Sequence, residues 1–243
     1  MSVINPAYAR DFARGLGSTH KTDKADSLIL ARYGTMVVPV LWQPEPLAIR
    51  ELKALLARID ALEADLPREK NRLEKTEFNA TSPTVMQSLH SMIEILEAER
   101  QRMEEKINDH IDRHPDLKND LRLLRTIPGI GPVVSRVMLS VIRSRTFNTA
   151  SECAAFLGVI PKLKESGIFR GRASLSKKGP PKVRAKLYMA AIVASQHNPG
   201  IKAQKERLLK NGKNKMQALG AAMRKLVHHR PDTTRPCESR CGV

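Results

Sequence analysis

The sequence is poor in cysteine, in aromatic residues and in long apolar runs. Its three cysteines are odd in number and widely spaced, so we expect a reducing compartment, the cytoplasm, and no disulfide framework. Aromatic residues form only 4% of the chain, which disfavours base-stacking platforms for single-stranded nucleic acid. The longest apolar stretch, residues 188–194, is shorter than the ~18 residues that a membrane helix needs. The sequence therefore predicts neither a disulfide-rich secreted domain nor a membrane protein.

Acidic residues are also scarce relative to basic ones. The chain has 25 Asp and Glu against 42 Lys and Arg, which gives a net charge of +17 and an isoelectric point of about 10.1. Solubility does not require such an excess, and it indicates a polyanionic partner. Nucleic acid is the first candidate, and an anionic membrane surface and the ribosome are the alternatives.

Helical periodicity dominates the chain. Residues 1–40 contain two helical patterns and end in a proline-rich linker. Residues 41–118 contain two long heptad-like patterns with a polar break at 79–83, which predict an antiparallel helical hairpin or coiled coil, within one protomer or between protomers. Residues 119–228 predict a compact, mostly helical domain, and residues 229–243 a disordered tail.

A glycine-rich turn lies between two helical patterns of the C-terminal region. The segment Pro128-Gly129-Ile130-Gly131 resembles the turn of a helix-hairpin-helix module. Glycine permits positive φ and a close approach of the backbone to a ligand, and the next helix offers free N–H groups to a phosphate. We therefore predict that Gly129 and Gly131 contact the DNA backbone without reading its sequence. A tight turn between packed helices, with no ligand, is the alternative.

Residues 156–179 contain a polar loop rich in cations, in which Ser166 lies directly before a glycine. A nucleophilic serine needs an exposed hydroxyl group and nearby positive charge that stabilises the attacked phosphate. A phosphate-binding or turn role for Ser166, without catalysis, is the alternative. The cations of this segment that we predict to contact DNA are Lys164, Arg170, Arg172, Lys177 and Lys178.

Two carboxylates mark the start of a helix near the N-terminus. Asp23 and Asp26 are three residues apart, so both face one side of the first helical turn. Paired carboxylates can hold Mg²⁺, which prefers oxygen ligands and waters. Helix capping and the helix dipole favour Asp at the same positions without any metal, and that interpretation is the alternative.

Several segments together resemble one family. Val3-Ile4-Asn5-Pro6, Phe12-Ala13-Arg14 and residues 21–26 (KTDKAD) are similar to the end of the RuvC-like domain of DEDD transposases, the insertion sequence 110 family with its related pilin-gene invertases. Further segments resemble the C-terminal transposase domain of this family: residues 127–132, 156–158, 165–167, 170–171, 175–179, 187–191, 197–199 and 212–226.

The resemblance implies a mechanism and partners. Four acidic residues of a RuvC-like fold would bind a divalent metal, Mg²⁺, while a serine attacks the DNA strand. The last two acids map onto Asp23 and Asp26, and the serine maps onto Ser166, with Ser174 and Ser176 as alternatives. The resemblance further implies a double-stranded DNA partner, a homo-oligomer with contacts through the helical region and, for some members, a non-coding guide RNA.

The first two acids of the family lie upstream of the segment that contains Asn5-Pro6, where this sequence has few residues. We therefore expect an N-terminally truncated transposase with impaired catalysis, and a non-catalytic remnant that binds DNA or RNA is the alternative. The expected fold is mostly α. It comprises a remnant of the RuvC-like α/β domain, the long helical hairpin, and a compact helical C-terminal transposase domain with a helix-hairpin-helix element.

Overall fold

The prediction of a mostly helical chain is confirmed by a computed structural model. The residues that it describes are 1–18, 22–79, 82–162, 165–166, 169–170 and 174–229, of which 165–166 and 169–170 are described by their backbone. Ten α-helices and four strands of two residues each occur in these ranges. The chain divides into two compact units, Met1–Glu45 and Pro46–Val243.

The first unit consists of two helices, α1 (Pro6–Gly15) and α2 (Asp23–Val37). Helix α1 begins at Pro6 because the Asn5 side chain accepts a hydrogen bond from the N–H of Ala7, and proline suits the first helical position. The two helices pack through Phe12 and Tyr33, whose rings meet edge to face with centroids 5.2 Å apart.

The second unit begins with a long antiparallel hairpin of two helices, α3 (Leu47–Phe78) and α4 (Pro83–Asp112). Heptad-spaced apolar residues form the seam between them, as the sequence predicts. Leu52 and Leu62 of α3 and Ile107 and Ile111 of α4 are almost fully buried there. Contacts between copies of the chain along this hairpin stay a prediction.

Six further helices complete the second unit: α5 (Pro115–Arg125), α6 (Pro132–Ile142), α7 (Ala150–Phe156), α8 (Pro181–His197), α9 (Pro199–Lys210) and α10 (Lys215–His228). Helix α8 lies at the centre and packs against α6, α9 and α10. Its small buried residues Ala190, Ala191 and Ala194 let these neighbours approach closely. The Asp60 carboxylate of α3 pairs with Lys186 Nζ of α8 at 2.8 Å, which links the hairpin to this bundle.

Between α7 and α8 the chain forms a narrow antiparallel ribbon from four strands: β1 (Pro161–Lys162), β2 (Glu165–Ser166), β3 (Phe169–Arg170) and β4 (Ser174–Leu175). Strand β1 pairs with β4, and β2 pairs with β3, so one strand pair is nested inside the other. The sequence predicts a polar loop here. The structure differs because the N–H and C=O groups of the two limbs pair with each other.

None of the helices that the structure describes is both long enough and apolar enough to cross a membrane. The RuvC-like character of residues 1–40, the helix-hairpin-helix character of the glycine turn and the division of the second unit at residue 118 stay predictions. Most of the predicted tail, residues 230–243, lies outside the described residues.

Candidate nucleic-acid interface

The glycine turn between α5 and α6 is a compact, hydrogen-bonded β-turn. The N–H of Ile130 donates to the carbonyl of Ile127 at 3.0 Å, and both side chains are buried. Pro128 and Gly129 occupy its two central positions, and Gly129 has φ +100°. Proline followed by a glycine with positive φ is the signature of a type II turn. The turn therefore fixes the direction in which α6 leaves α5.

Gly129 lies against the backbone of α8. A Cβ atom at this position would be 2.5 Å from Ala194 Cβ and 2.8 Å from Ala194 Cα, distances that real Cβ atoms essentially never show. The absent side chain thus makes room for a helix of the same chain. The described geometry gives Gly129 a packing role, and its predicted contact with DNA stays a prediction.

Gly131 has different surroundings, although it is two residues away. It is exposed, has φ −82°, and a Cβ atom built there would meet nothing within 4 Å. Gly131 is the N-cap residue of α6 and has no side chain that could cap the helix. The first hydrogen bond of the helix runs from the N–H of Ser135 to the carbonyl of Gly131. The N–H groups of Val133 and Val134 form no hydrogen bond with described residues. This helix end can therefore donate to an anion.

The ribbon holds the segment that contains the predicted nucleophile. In its backbone register Ser166 pairs with Phe169 and Glu165 pairs with Arg170. Two of the predicted cations, Lys164 and Arg172, lie outside the described residues. Ser166 is thus placed on the inner strand pair, near the far end of the ribbon, by backbone pairing.

Close backbone contacts fix the base of the ribbon. Gly158, at the end of α7, has φ +69°, and its Cβ atom would be 2.8 Å from Gly179 N. A Cβ atom at Gly179 would overlap the Phe156 carbonyl oxygen. The N–H of Lys177 donates to the Gly158 carbonyl at 3.2 Å. The two glycine-containing motifs at the ends of this segment therefore contact each other, a role that the sequence did not reveal.

Lys177 and Lys178 are exposed at this base. Lys177 adopts φ +55°, a left-handed conformation that non-glycine residues rarely take. Such strained positions are found preferentially at binding sites. Both predicted DNA-contacting lysines are therefore placed where a polyanion can reach them.

The two alternative serines differ in access. Ser174 is exposed on β4. The hydroxyl oxygen of Ser176 is buried and has no hydrogen-bond partner among the described residues. A buried hydroxyl group cannot meet a phosphodiester without movement of the backbone, so the geometry disfavours Ser176 as the nucleophile.

Asp23 and Asp26 occupy the first turn of α2, as the sequence predicts. Both are exposed, and Thr22 provides the cap by accepting a hydrogen bond from the N–H of Ala25. Among the described residues no group of three or more His, Cys, Asp or Glu could hold a metal ion. Two carboxylates do not make a complete metal site, and we derive no reaction step through Mg²⁺. They belong to the first unit, whereas Ser166 belongs to the second.

Comparisons with known proteins agree with these features. The model of the transposase IS116/IS110/IS902 family matches residues 121–206, which include the glycine turn and the ribbon. The pilin gene-inverting proteins of Moraxella bovis and Moraxella lacunata are 32% and 33% identical to this chain over 230 residues, which cover 93% of the chain and 70% of each relative. An uncharacterized 43.6 kDa protein of insertion element IS110 from Streptomyces coelicolor is 26% identical over 57% of the chain and 34% of its own length. The chain therefore belongs to the IS116/IS110/IS902 family of transposases.

Proposed function

We propose that this chain is a transposase or site-specific recombinase that binds double-stranded DNA and cleaves and joins its strands. Three observations support the proposal: the family, the net charge of +17, and the ribbon that contains Ser166 and has exposed Lys177 and Lys178 at its base. The ribbon is the main support, because it combines the candidate serine with a base that is fixed by glycine contacts and flanked by cations.

In the proposed reaction Ser166 is the nucleophile. Its hydroxyl oxygen forms a bond to phosphorus while the bond from phosphorus to one strand oxygen breaks. The serine proton passes to a base or to water, and the departing strand oxygen gains a proton. A hydroxyl group of another strand then attacks the phosphoserine ester, which rejoins DNA and restores the serine. Each step exchanges one phosphate ester for another, so no external energy source is needed.

A covalent intermediate provides the direct test. The protein is incubated with Mg²⁺ and an end-labelled duplex that spans the junction between an element and its flanking DNA. We expect a labelled protein–DNA adduct on a denaturing gel, lost in Ser166→Ala and retained in the matched variants Ser174→Ala and Ser176→Ala. Adduct formation by Ser166→Ala would contradict the assignment of the nucleophile. The ligation of Mg²⁺ by Asp23 and Asp26 is a further part of this proposal.

A second candidate function is binding of DNA or RNA without catalysis. It is favoured by the distribution of the features: the glycine turn and the basic ribbon belong to the second unit, and the carboxylates Asp23 and Asp26 belong to the first. Duplex binding by the wild-type protein without an adduct would support this candidate. A guide RNA and a homo-oligomer remain predictions under either function.

A further inference from the structure

A groove of about 1060 Å³ lies between the C-terminal part of α4, helix α5 and the N-terminus of α6. Its described lining includes Pro132 and Val133, which follow the glycine turn, and none of the candidate site residues that the sequence predicts to contact DNA. Its charged lining residues are Lys118, Arg122, Arg125, Arg136, Glu104 and Asp112.

Positive charge is in excess along this groove. One carboxylate is already neutralised, because Lys118 Nζ lies 3.0 Å from Asp112 Oδ1. Arg122 and Arg125 are exposed and form no ion pair with the described residues. The C-terminal dipole of α5 favours both arginines in its last turn. Arg122 Nη2 donates to the neutral side chain of Asn119 at 3.3 Å, so the charge of neither guanidinium group is neutralised by a described carboxylate.

Arg136 is the least satisfied of these cations. Its Nη2 donates to Asn108 Oδ1 at 2.8 Å, while its buried Nε has no hydrogen-bond partner among the described residues. Burial lowers the pKa of this guanidinium group, nearby Glu104 partly opposes the effect, and Arg125 adds to it. Two cations held close together, one of them partly desolvated, favour the approach of an anion.

The N-terminus of α6 contributes to the same groove. Pro132 and Val133 line it, and the unpaired N–H groups of Val133 and Val134 belong to this turn. The described residues that line the groove include no aromatic side chain on which bases could stack. Guanidinium groups combined with backbone N–H donors are typical contacts to phosphate oxygens.

We propose that this groove binds the backbone phosphates of double-stranded DNA, with Arg125 and Arg136 as the principal contacts and Arg122 at its edge. The proposal rests on the proposed function, because it names a second DNA-contacting surface on the unit that carries the ribbon. The contacts are to phosphates, so binding here is independent of base sequence and depends on salt.

The test measures the affinity of the full chain for a fluorescent duplex by anisotropy over a range of salt concentrations. Each lost phosphate contact should reduce the slope of log affinity against log salt by about 1. We expect this decrease, and about tenfold weaker binding, for Arg125→Gln and for Arg136→Gln. Arg125→Lys keeps the charge and should keep the slope.

Arg68→Gln is the matched control, because it removes the same charge from an exposed arginine of α3 that is paired with Asp65 outside the groove. Thermal unfolding followed by circular dichroism confirms that each variant is folded, and Arg125 is exposed enough for its replacement to be tolerated. Suppose that the wild-type protein shows a steep slope of log affinity against log salt and that both groove variants show the same slope. This result would overturn the groove as a DNA site and leave the proposed function intact. A flat slope for the wild-type protein would contradict both. A decrease seen with duplex RNA but absent with DNA would overturn the choice of DNA.

Discussion

The two sides of the turn between α5 and α6 obey different constraints, although they are built from consecutive residues. On the inner side, Gly129 contacts the backbone of α8 and has no space for even one more carbon atom. On the outer side, Gly131 and Val133 face open space and the basic groove. One short motif thus fixes the packing of the fold and presents the candidate phosphate site.

The difference shows that a single glycine motif need not have a single purpose. Positive φ at Gly129 and the close approach to Ala194 both serve the fold. The N–H groups of Val133 and Val134 at the start of α6 form no hydrogen bond with described residues and are available to a ligand. Substitutions on the inner side should therefore change stability, and substitutions on the outer side should change DNA binding.

The largest effect is expected at Gly129. Gly129→Ala places a methyl group where Ala194 lies and forces a non-glycine residue into positive φ. We expect the free energy of unfolding to fall by about 3 kcal/mol or more, measured by urea denaturation. Gly131→Ala, the matched control, should change it by less than about 0.5 kcal/mol. Equal losses at the two glycines would contradict the distinction between the two sides.

A double variant tests how much of that loss comes from overlap with the methyl group of Ala194. Ala194→Gly removes this methyl group, which a residue at 129 would meet most closely. Combined with Gly129→Ala it should restore part of the stability, and the remaining loss reports the backbone conformation together with overlap with Cα and N of residue 194. Strict additivity of the two single changes would show that overlap with the methyl group of Ala194 is not a cause.

The ion pair between Asp120 and Arg143 is another contact that joins α5 to the end of α6. Asp120 of α5 is buried and accepts a hydrogen bond from Arg143 Nε, just beyond the end of α6. Asp120→Ala leaves Arg143 without its partner, although about a third of that side chain can still be hydrated. We expect a loss of about 2 kcal/mol in urea denaturation, and a smaller loss for Asp120→Asn. An unchanged midpoint for both variants would show that the pair does not stabilise the packing of α5 on α6.

The sequence was sufficient for the helices and insufficient for what they bring together. Apolar periodicity indicated the long hairpin, and Asp23 with Asp26 indicated the start of α2. The pairing of Gly158 with Gly179 joins residues far apart in the chain, so no local pattern could indicate it. The groove was missed for the same reason.

The groove could not be predicted from local sequence patterns. Arg125 closes α5 and Arg136 lies on α6, and in sequence each has an ordinary explanation as a surface or helix-dipole cation. Only the angle fixed by the glycine turn brings their charges close enough to influence each other. The signal in the sequence that could have indicated the groove is the presence of arginines on the polar faces of two adjacent helices, α5 and α6.

The smallest expected change in stability comes with a clear change in binding, at Val133 on the outer side. Val133 is 47% exposed in the first turn of α6, where a carboxylate interacts favourably with the helix dipole by about 0.3–1 kcal/mol. Val133→Glu should therefore leave the unfolding free energy unchanged or slightly higher, while its charge repels phosphates at the groove and weakens duplex binding about tenfold. Val85→Glu is matched to it, since Val85 is 44% exposed in the first turn of α4 and does not line the groove. Val133→Gln separates charge from size. Equal loss of affinity in the Val133→Glu and Val85→Glu variants would mean that net charge alone governs binding, and the two sides of the turn would then differ only in packing.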